Sequence, residues 1–194
     1  MEELMAEIAA RLKARGRLLV AIDGRCGCGK SSLAAVLARR FDANVFHMDD
    51  FYLPFAARGE NWREIPAGNM DLRRFRSEVL SPLAAGEMVL YRAYDCAHDR
   101  YLPTRALPFR SLSLVEGSYS LHPELAGFYD YRLFVTAEKH AQTARLRARE
   151  GDRFAAFEST WIPLEEAYFQ HFGIEELADR VIRTDRETDF GKSK

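Results

Sequence analysis

Residues 18–40, LLVAIDGRCGCGKSSLAAVLARR, pass from an apolar run through three glycines and two cysteines into an amphipathic segment. Gly24, Gly29, Lys30 and Ser31 fit the spacing G-x-x-x-x-G-K-[ST]. In that pattern glycines let successive backbone N–H groups turn inward around phosphate oxygens, and the helix that follows points its positive end at them. Ordinary residue usage gives a chance match in a chain this long roughly once in a hundred, and the required strand before and helix after narrow it further. The expected nucleotide-binding stretch is Gly24, Arg25, Cys26, Gly27, Cys28, Gly29, Lys30, Ser31 and Ser32, with Lys30 reaching the β- and γ-phosphates and Ser31 holding Mg²⁺.

The two cysteines offer a rival reading as a metal or redox site. A zinc site needs two more soft ligands, and Cys96 and five scattered histidines supply no zinc-type spacing. The plainer expectation is that both are small residues which leave the loop backbone open. A thiol beside Lys30 and a helix start can also be reactive, a hypothesis that protection by ATP against alkylation would test. Three cysteines cannot all pair, and the opening MEELMAEIAARLKARG is a charge-laced amphipathic helix unlike a secretory signal, so a reducing, cytoplasmic setting is expected.

Apolar residues make up 47% and charged residues 29%, ordinary for a globular chain, and 194 residues suffice for one domain with its own core. A formal net charge of -1 gives no global field to draw in nucleic acid or an acidic membrane, so any anion site must be local. No apolar run approaches the ~20 residues that span a bilayer.

Leu4, Ile8 and Leu12 predict an opening helix ended by Gly16; residues 17–23 read as a buried strand and 44–48 as a second, running into HMDDFY. Residues 53–70, with Pro54, Gly59, Pro66 and Gly68, show no steady period and suggest a long acceptor-side loop. Asp71 can cap a helix through Leu83 whose buried face is Leu72, Phe75, Val79 and Leu80. A short strand within 87–94, core strands at 112–115, 131–135 and 180–183, and two helices from Glu138 onward complete the pattern, with 185–194 as a frayed tail. Strands separated by helices predict an α/β fold: a three-layer α/β/α P-loop NTPase architecture around a mostly parallel five-stranded sheet, with a lid at about 145–163.

No N-K-x-D guanine-reading stretch and no L-S-G-G-Q transporter signature is present. The order of P-loop, D-D-F-Y (49–52), Y-D (94–95), E-G (116–117) and an arginine-rich helix resembles a divergent branch of the uridine kinase and phosphoribulokinase family. The resemblance implies a small-molecule kinase using ATP and Mg²⁺, with Asp49 as catalytic base and Tyr52 as a substrate contact. It implies that Glu116 positions Mg²⁺ with Ser31, that Tyr94, Asp95 and His98 face the acceptor, and that Arg145, Arg149 and Arg153 are lid arginines. Arg145 and Arg149, four apart, share a helix face, whereas Arg147 does not. Tyr52, Tyr94 and Trp62 can equally line an acceptor pocket or pack.

The expected activity is ATP-dependent phosphorylation of a hydroxyl on a small metabolite, uridine or nucleoside kinase-like. Related folds also accept pantothenate, nicotinamide riboside and glycerate. Where uridine kinases carry a ribose-gripping F-D-H-P-D-A-F-D stretch, this chain has NWREIPAGNMD, and only Asp71 matches, as the helix cap. That replacement supports the alternative of a nucleotide-binding regulatory protein that keeps the P-loop without nucleoside kinase activity. The expected partner is a small-molecule hydroxyl acceptor rather than nucleic acid or membrane, and self-association into a homo-oligomer is left open.

Overall fold

The computed structural model describes residues 1–185; all of the expected frayed tail except Asp185 lies outside them. Strands β1 (Leu18–Gly24), β2 (Asn44–His47), β3 (Leu112–Glu116), β4 (Tyr131–Thr136) and β5 (Arg180–Arg183) form one sheet in the order β2-β3-β1-β4-β5. Every pairing in it is parallel.

Every residue of β1 is buried, as a central strand covered on both faces requires. Its side chains alternate between two cores. Leu18, Val20 and Ile22 pack with Leu112, Leu114 and Leu133 beneath α1 (Glu2–Arg15) and α2 (Lys30–Phe41), which contribute Leu4, Ile8, Leu33 and Leu37. Leu19 and Ala21 face the other way, toward Phe46, Phe51, Phe75, Phe134 and Phe169. That second core is closed by α3, residues 72–85, and α5 (Ile162–Phe172), so the three layers follow from strands that are apolar on both faces.

Asp71 caps α3 as expected, accepting from the Arg74 N–H at 3.0 Å. The middle of α3, Arg76–Leu80, is a π-helical turn that no spacing argument foresaw. The single strand expected within 87–94 is instead two short pieces, because the chain turns between them. Val89–Tyr91 pairs antiparallel with Arg105–Leu107, and Tyr94–Asp95 with Arg100–Tyr101, both outside the main sheet. The 53–70 loop is pinched at its neck by Leu53 N–H to Asn69 O at 2.8 Å and Asp71 N–H to Phe51 O at 2.7 Å. α4 (Lys139–Glu150) follows β4 and leads through Gly151–Arg153 and Phe154–Ala156 to α5. No described helix is long and apolar enough to cross a membrane.

The chain leaves β1 at Gly24, with φ at 133° and no room for a side chain: a Cβ there would lie 1.9 Å from the Val135 carbonyl oxygen of β4. Gly24→Ala should therefore lower stability by more than ~2 kcal/mol, combining positive-φ strain with a backbone clash. Urea denaturation checks this, and an unchanged midpoint would contradict the packing described.

Candidate active site

The reversal of strand order about β1 leaves a crevice at the carboxyl ends of the strands, where ligands bind in open parallel sheets. A cleft of about 710 Å³ opens there, lined by residues 26–32 of the loop, by Asp49, Tyr52 and Glu116, and by Arg145, Arg149 and Arg153. α2 begins at Lys30, and its first backbone bond is Leu33 N–H to Gly29 O, so the amides of Lys30, Ser31 and Ser32 precede the ladder and have no partner within the helix. The Lys30 ammonium donates to the Gly24 carbonyl at 2.5 Å and lies 3.3 Å from Ser118 Oγ.

Glu116 ends β3 with its carboxylate buried, accepting from Ser31 Oγ at 3.1 Å and meeting His47 Nδ1 at 2.5 Å. That contact raises the His47 pKa, because Glu116 favours the imidazolium. Gly117 lets β2's exit come close: its φ is 134°, and a Cβ would stand 2.9 Å from Met48 Cβ. The turn Met48–Phe51 that follows β2 thereby carries Asp49 into the cleft beside Glu116 and Lys30. Asp49 accepts from Tyr52 OH at 3.1 Å. Asp49 keeps exposed surface, yet the cleft walls crowd its carboxylate; that desolvation raises its pKa, with Lys30 opposing. Asp50 points elsewhere, accepting from Tyr91 OH at 2.5 Å.

On the far wall, Arg145 donates to Thr184 Oγ1 at 3.0 Å and to the Thr184 carbonyl. Arg149 and Arg153 both pair with Glu150, at 2.7 and 3.0 Å. Arg147 stacks on Phe154 instead, 4.8 Å from the ring centroid, as the helical spacing implied.

Several expected residues go elsewhere. Arg25 turns its side chain away from the cleft to pair with Glu166 at 2.6 Å and bond Thr136 Oγ1 at 2.9 Å, so only its backbone belongs to the loop. Tyr94 is buried with its hydroxyl on Asp99, and His98 pairs with Asp95 at 2.7 Å; neither lines the cleft, because the antiparallel ribbon that carries them closes on itself. Trp62 stands behind the cleft lining, its ring 6.3 Å from that of Trp161, which does line it. Both cysteines line the cleft; Cys26 packs against Leu146 and Phe154, and Cys28 joins the core beneath α2. Burial holds the Cys26 thiol far above its ordinary range and pushes Cys28 up to about 11, so desolvation outweighs Lys30 and weighs against an activated thiol. No group of three or more His, Cys, Asp or Glu side chains suited to a metal occurs among the described residues.

Sequence reasoning missed Asp23, Ser118, Glu150, Trp161 and Glu165. Glu165 was detectable in part: it shares a helix face with Tyr168 and Phe169, and a carboxylate on an apolar stripe asks for a partner.

The sheet order, the glycine loop and the helix that starts at its lysine define the three-layer α/β/α fold of P-loop kinases. The structure is similar to that of a possible uridine kinase from Bacillus stearothermophilus, with a TM-score of 0.73 and 23% identity, covering 93% of this chain and 96% of that one. It is also similar to shikimate kinase from Acinetobacter baumannii in complex with shikimate, with a TM-score of 0.50 and 16% identity, covering 88% and 85%. At these identities the likeness establishes the fold. No protein-family model and no curated protein matches the chain.

Asp23, at the end of β1, is fully buried and accepts from the N–H groups of Gly24 and Leu121 and from Tyr168 OH at 2.7–2.9 Å. Burial pushes its pKa from 3.8 up to about 6 against those donors. The folded state thus holds this proton more tightly than the unfolded chain does. Its stabilising contribution is complete below about 3.8 and is lost as pH rises through about 6. In urea titrations the stability difference between wild type and Asp23→Asn should shrink as pH rises through that window. A difference that stays flat with pH would mean that folding does not shift the Asp23 pKa.

Proposed function

We propose that the protein is an ATP-dependent phosphotransferase acting on a hydroxyl of a small metabolite. The observation that carries this reading is the meeting in one cleft of Lys30, the Ser31–Glu116 pair, Asp49 and three arginines. The loop amides and Lys30 would bind the β- and γ-phosphates, with Arg145, Arg149 and Arg153 neutralising charge on the migrating phosphoryl group. Arg149 and Arg153 would have to exchange Glu150 for phosphate oxygens.

Ser31 Oγ and a buried Glu116 carboxylate are hard oxygen donors 3.1 Å apart. They suit Mg²⁺, which takes one or two protein oxygens and completes its shell with phosphates and water. Bound there, the ion would screen the phosphate charge.

Asp49 would accept the proton of the attacking hydroxyl as its oxygen bonds to the γ-phosphorus and the bond to the ADP oxygen breaks. Crowding that raises its pKa makes it a stronger base than an open surface carboxylate. On the acceptor side Tyr52, Tyr119, Phe157 and Trp161 line the cleft, a setting that favours a flat or ring-bearing acceptor such as a nucleoside. The fold of the possible uridine kinase supports the same class. Free thiols at Cys26, Cys28 and Cys96 suit a cytoplasmic setting, and the acceptor, rather than nucleic acid or membrane, is the proposed partner.

A second reading, a regulatory protein that binds nucleotide without transferring phosphate, draws support from NWREIPAGNMD and from the placement of Tyr94 and His98 outside the cleft.

Incubation with Mg-ATP and a panel of hydroxyl compounds, followed by ADP release, separates the two. Phosphorylated product supports the kinase, and tight binding without product supports the regulator. Asp49→Asn should keep Mg-ATP binding by calorimetry while transfer falls ~10²- to 10⁴-fold. An unimpaired Asn variant would remove Asp49 from the chemistry.

A further inference from the structure

Glu165 takes no part in the chemistry above, yet its carboxylate stands in the cleft wall with only 7% of the residue exposed. Each of its oxygens serves a different donor: Oε2 accepts from the Cys26 backbone N–H at 2.9 Å, and Oε1 from the Ser118 hydroxyl at 2.5 Å. Ser118 has one proton and spends it on the shorter bond, so its lone pairs face the Lys30 ammonium at 3.3 Å. A chain of contacts therefore runs from Lys30 through Ser118 to Glu165 and back into the loop at Cys26. The next residue, Glu166, pairs with Arg25, so two consecutive acids of α5 hold two consecutive residues of the phosphate loop.

We propose that Glu165 is a positioning residue that presets the phosphate loop and, through Ser118, the parked position of Lys30. The proposal rests on the nucleotide-binding reading of that loop. It occupies the Cys26 amide while leaving those of Lys30, Ser31 and Ser32 to a ligand. Two converging donors explain why the residue is an acid. Glutamine keeps one carbonyl oxygen for the Cys26 N–H, but its NH₂ would then donate to Ser118 Oγ, compete there with Lys30, and turn the hydroxyl proton toward the Gly24 carbonyl 3.4 Å away, which Lys30 already holds at 2.5 Å. A negative charge beside a triphosphate is by itself repulsive, so a Glu165 that did nothing but sit there would weaken binding. Its removal then has opposite signs under the two accounts.

Calorimetry of wild type with Mg-ATP comes first; no binding would overturn the loop reading and this inference together. Given binding, Glu165→Gln should weaken it by roughly 5- to 10-fold, the scale of a hydrogen bond to a charged group exchanged for a neutral one. Ser118→Ala should weaken it less, and Glu165→Asp, which keeps both oxygens on a shorter stem, should recover part of the loss. Exchange of the Cys26 amide hydrogen should quicken in Glu165→Gln, whereas Glu166→Gln, which weakens a partly exposed ion pair, should change affinity less than about 3-fold. Affinity that is unchanged or tighter in Glu165→Gln, or equal loss in Glu165→Asp and Glu165→Gln, would overturn the proposal. If Glu165→Gln does not fold, Ser118→Ala and Glu165→Asp decide it: unchanged affinity in both would overturn it.

Discussion

The close approach of Gly24 to the Val135 carbonyl is the constraint from which the rest of the site is built. A buried parallel strand must hand its chain to a helix on one face of the sheet, and here it does so within the few residues that separate β1 from Lys30. With no side chain at Gly24, Arg25 can donate its N–H to that same carbonyl at 3.1 Å, and the loop starts locked to β4. A similar economy recurs at Gly117, where the absent Cβ admits Met48 and brings the Asp49 turn against the end of β3. Two missing methyl groups thus decide how near the carboxylates stand to the lysine.

The cleft that results is not simply basic. Lys30, Arg145, Arg149 and Arg153 face Asp49, Glu116, Glu150 and Glu165, and most of these already have partners within the protein. Such internal pairing keeps charged groups satisfied when no ligand is bound, at the cost of contacts that a ligand must displace. The pairs differ in how firmly they are held. Glu165 bonds a backbone amide and a buried serine, whereas Arg149 and Arg153 are exposed and share Glu150, so the arginine wall is the side that can rearrange. That asymmetry fits a rigid phosphate cradle facing a movable wall.

Aromatic contacts tie the 53–70 loop to the segment between α4 and α5. That loop is pinched at its neck, and its Trp62 meets Trp161, so the loop and the arginine-bearing region touch through this pair. Arg58 adds to this cluster, with its guanidinium 4.5 Å from the Phe55 ring centroid and 5.5 Å from that of Trp62. Flat side chains of this kind pack with little loss of rotamer freedom.

Much of this was legible from residue order. The apolar run of β1, the glycine spacing, Lys30 and Ser31, the cap at Asp71 and the four-residue spacing of Arg145 and Arg149 are local signals, because each depends on neighbours a few positions apart. The pairing of Ser31 with Glu116, inferred through resemblance, also holds in space. What local order could not decide is which way a side chain turns once distant segments pack. Arg25 looked like part of a phosphate loop, yet Glu166, 141 residues away, draws its guanidinium off. Tyr94 and His98 looked acceptor-facing until their ribbon folded onto itself. Sequence alone determined the strand, loop and helix that can grip a phosphate, since backbone geometry and period are written in adjacent residues. Only the tertiary structure placed Glu165, Ser118 and Glu150 in the cleft, because the partner that satisfies a buried charge is chosen by packing across the sheet rather than along the chain.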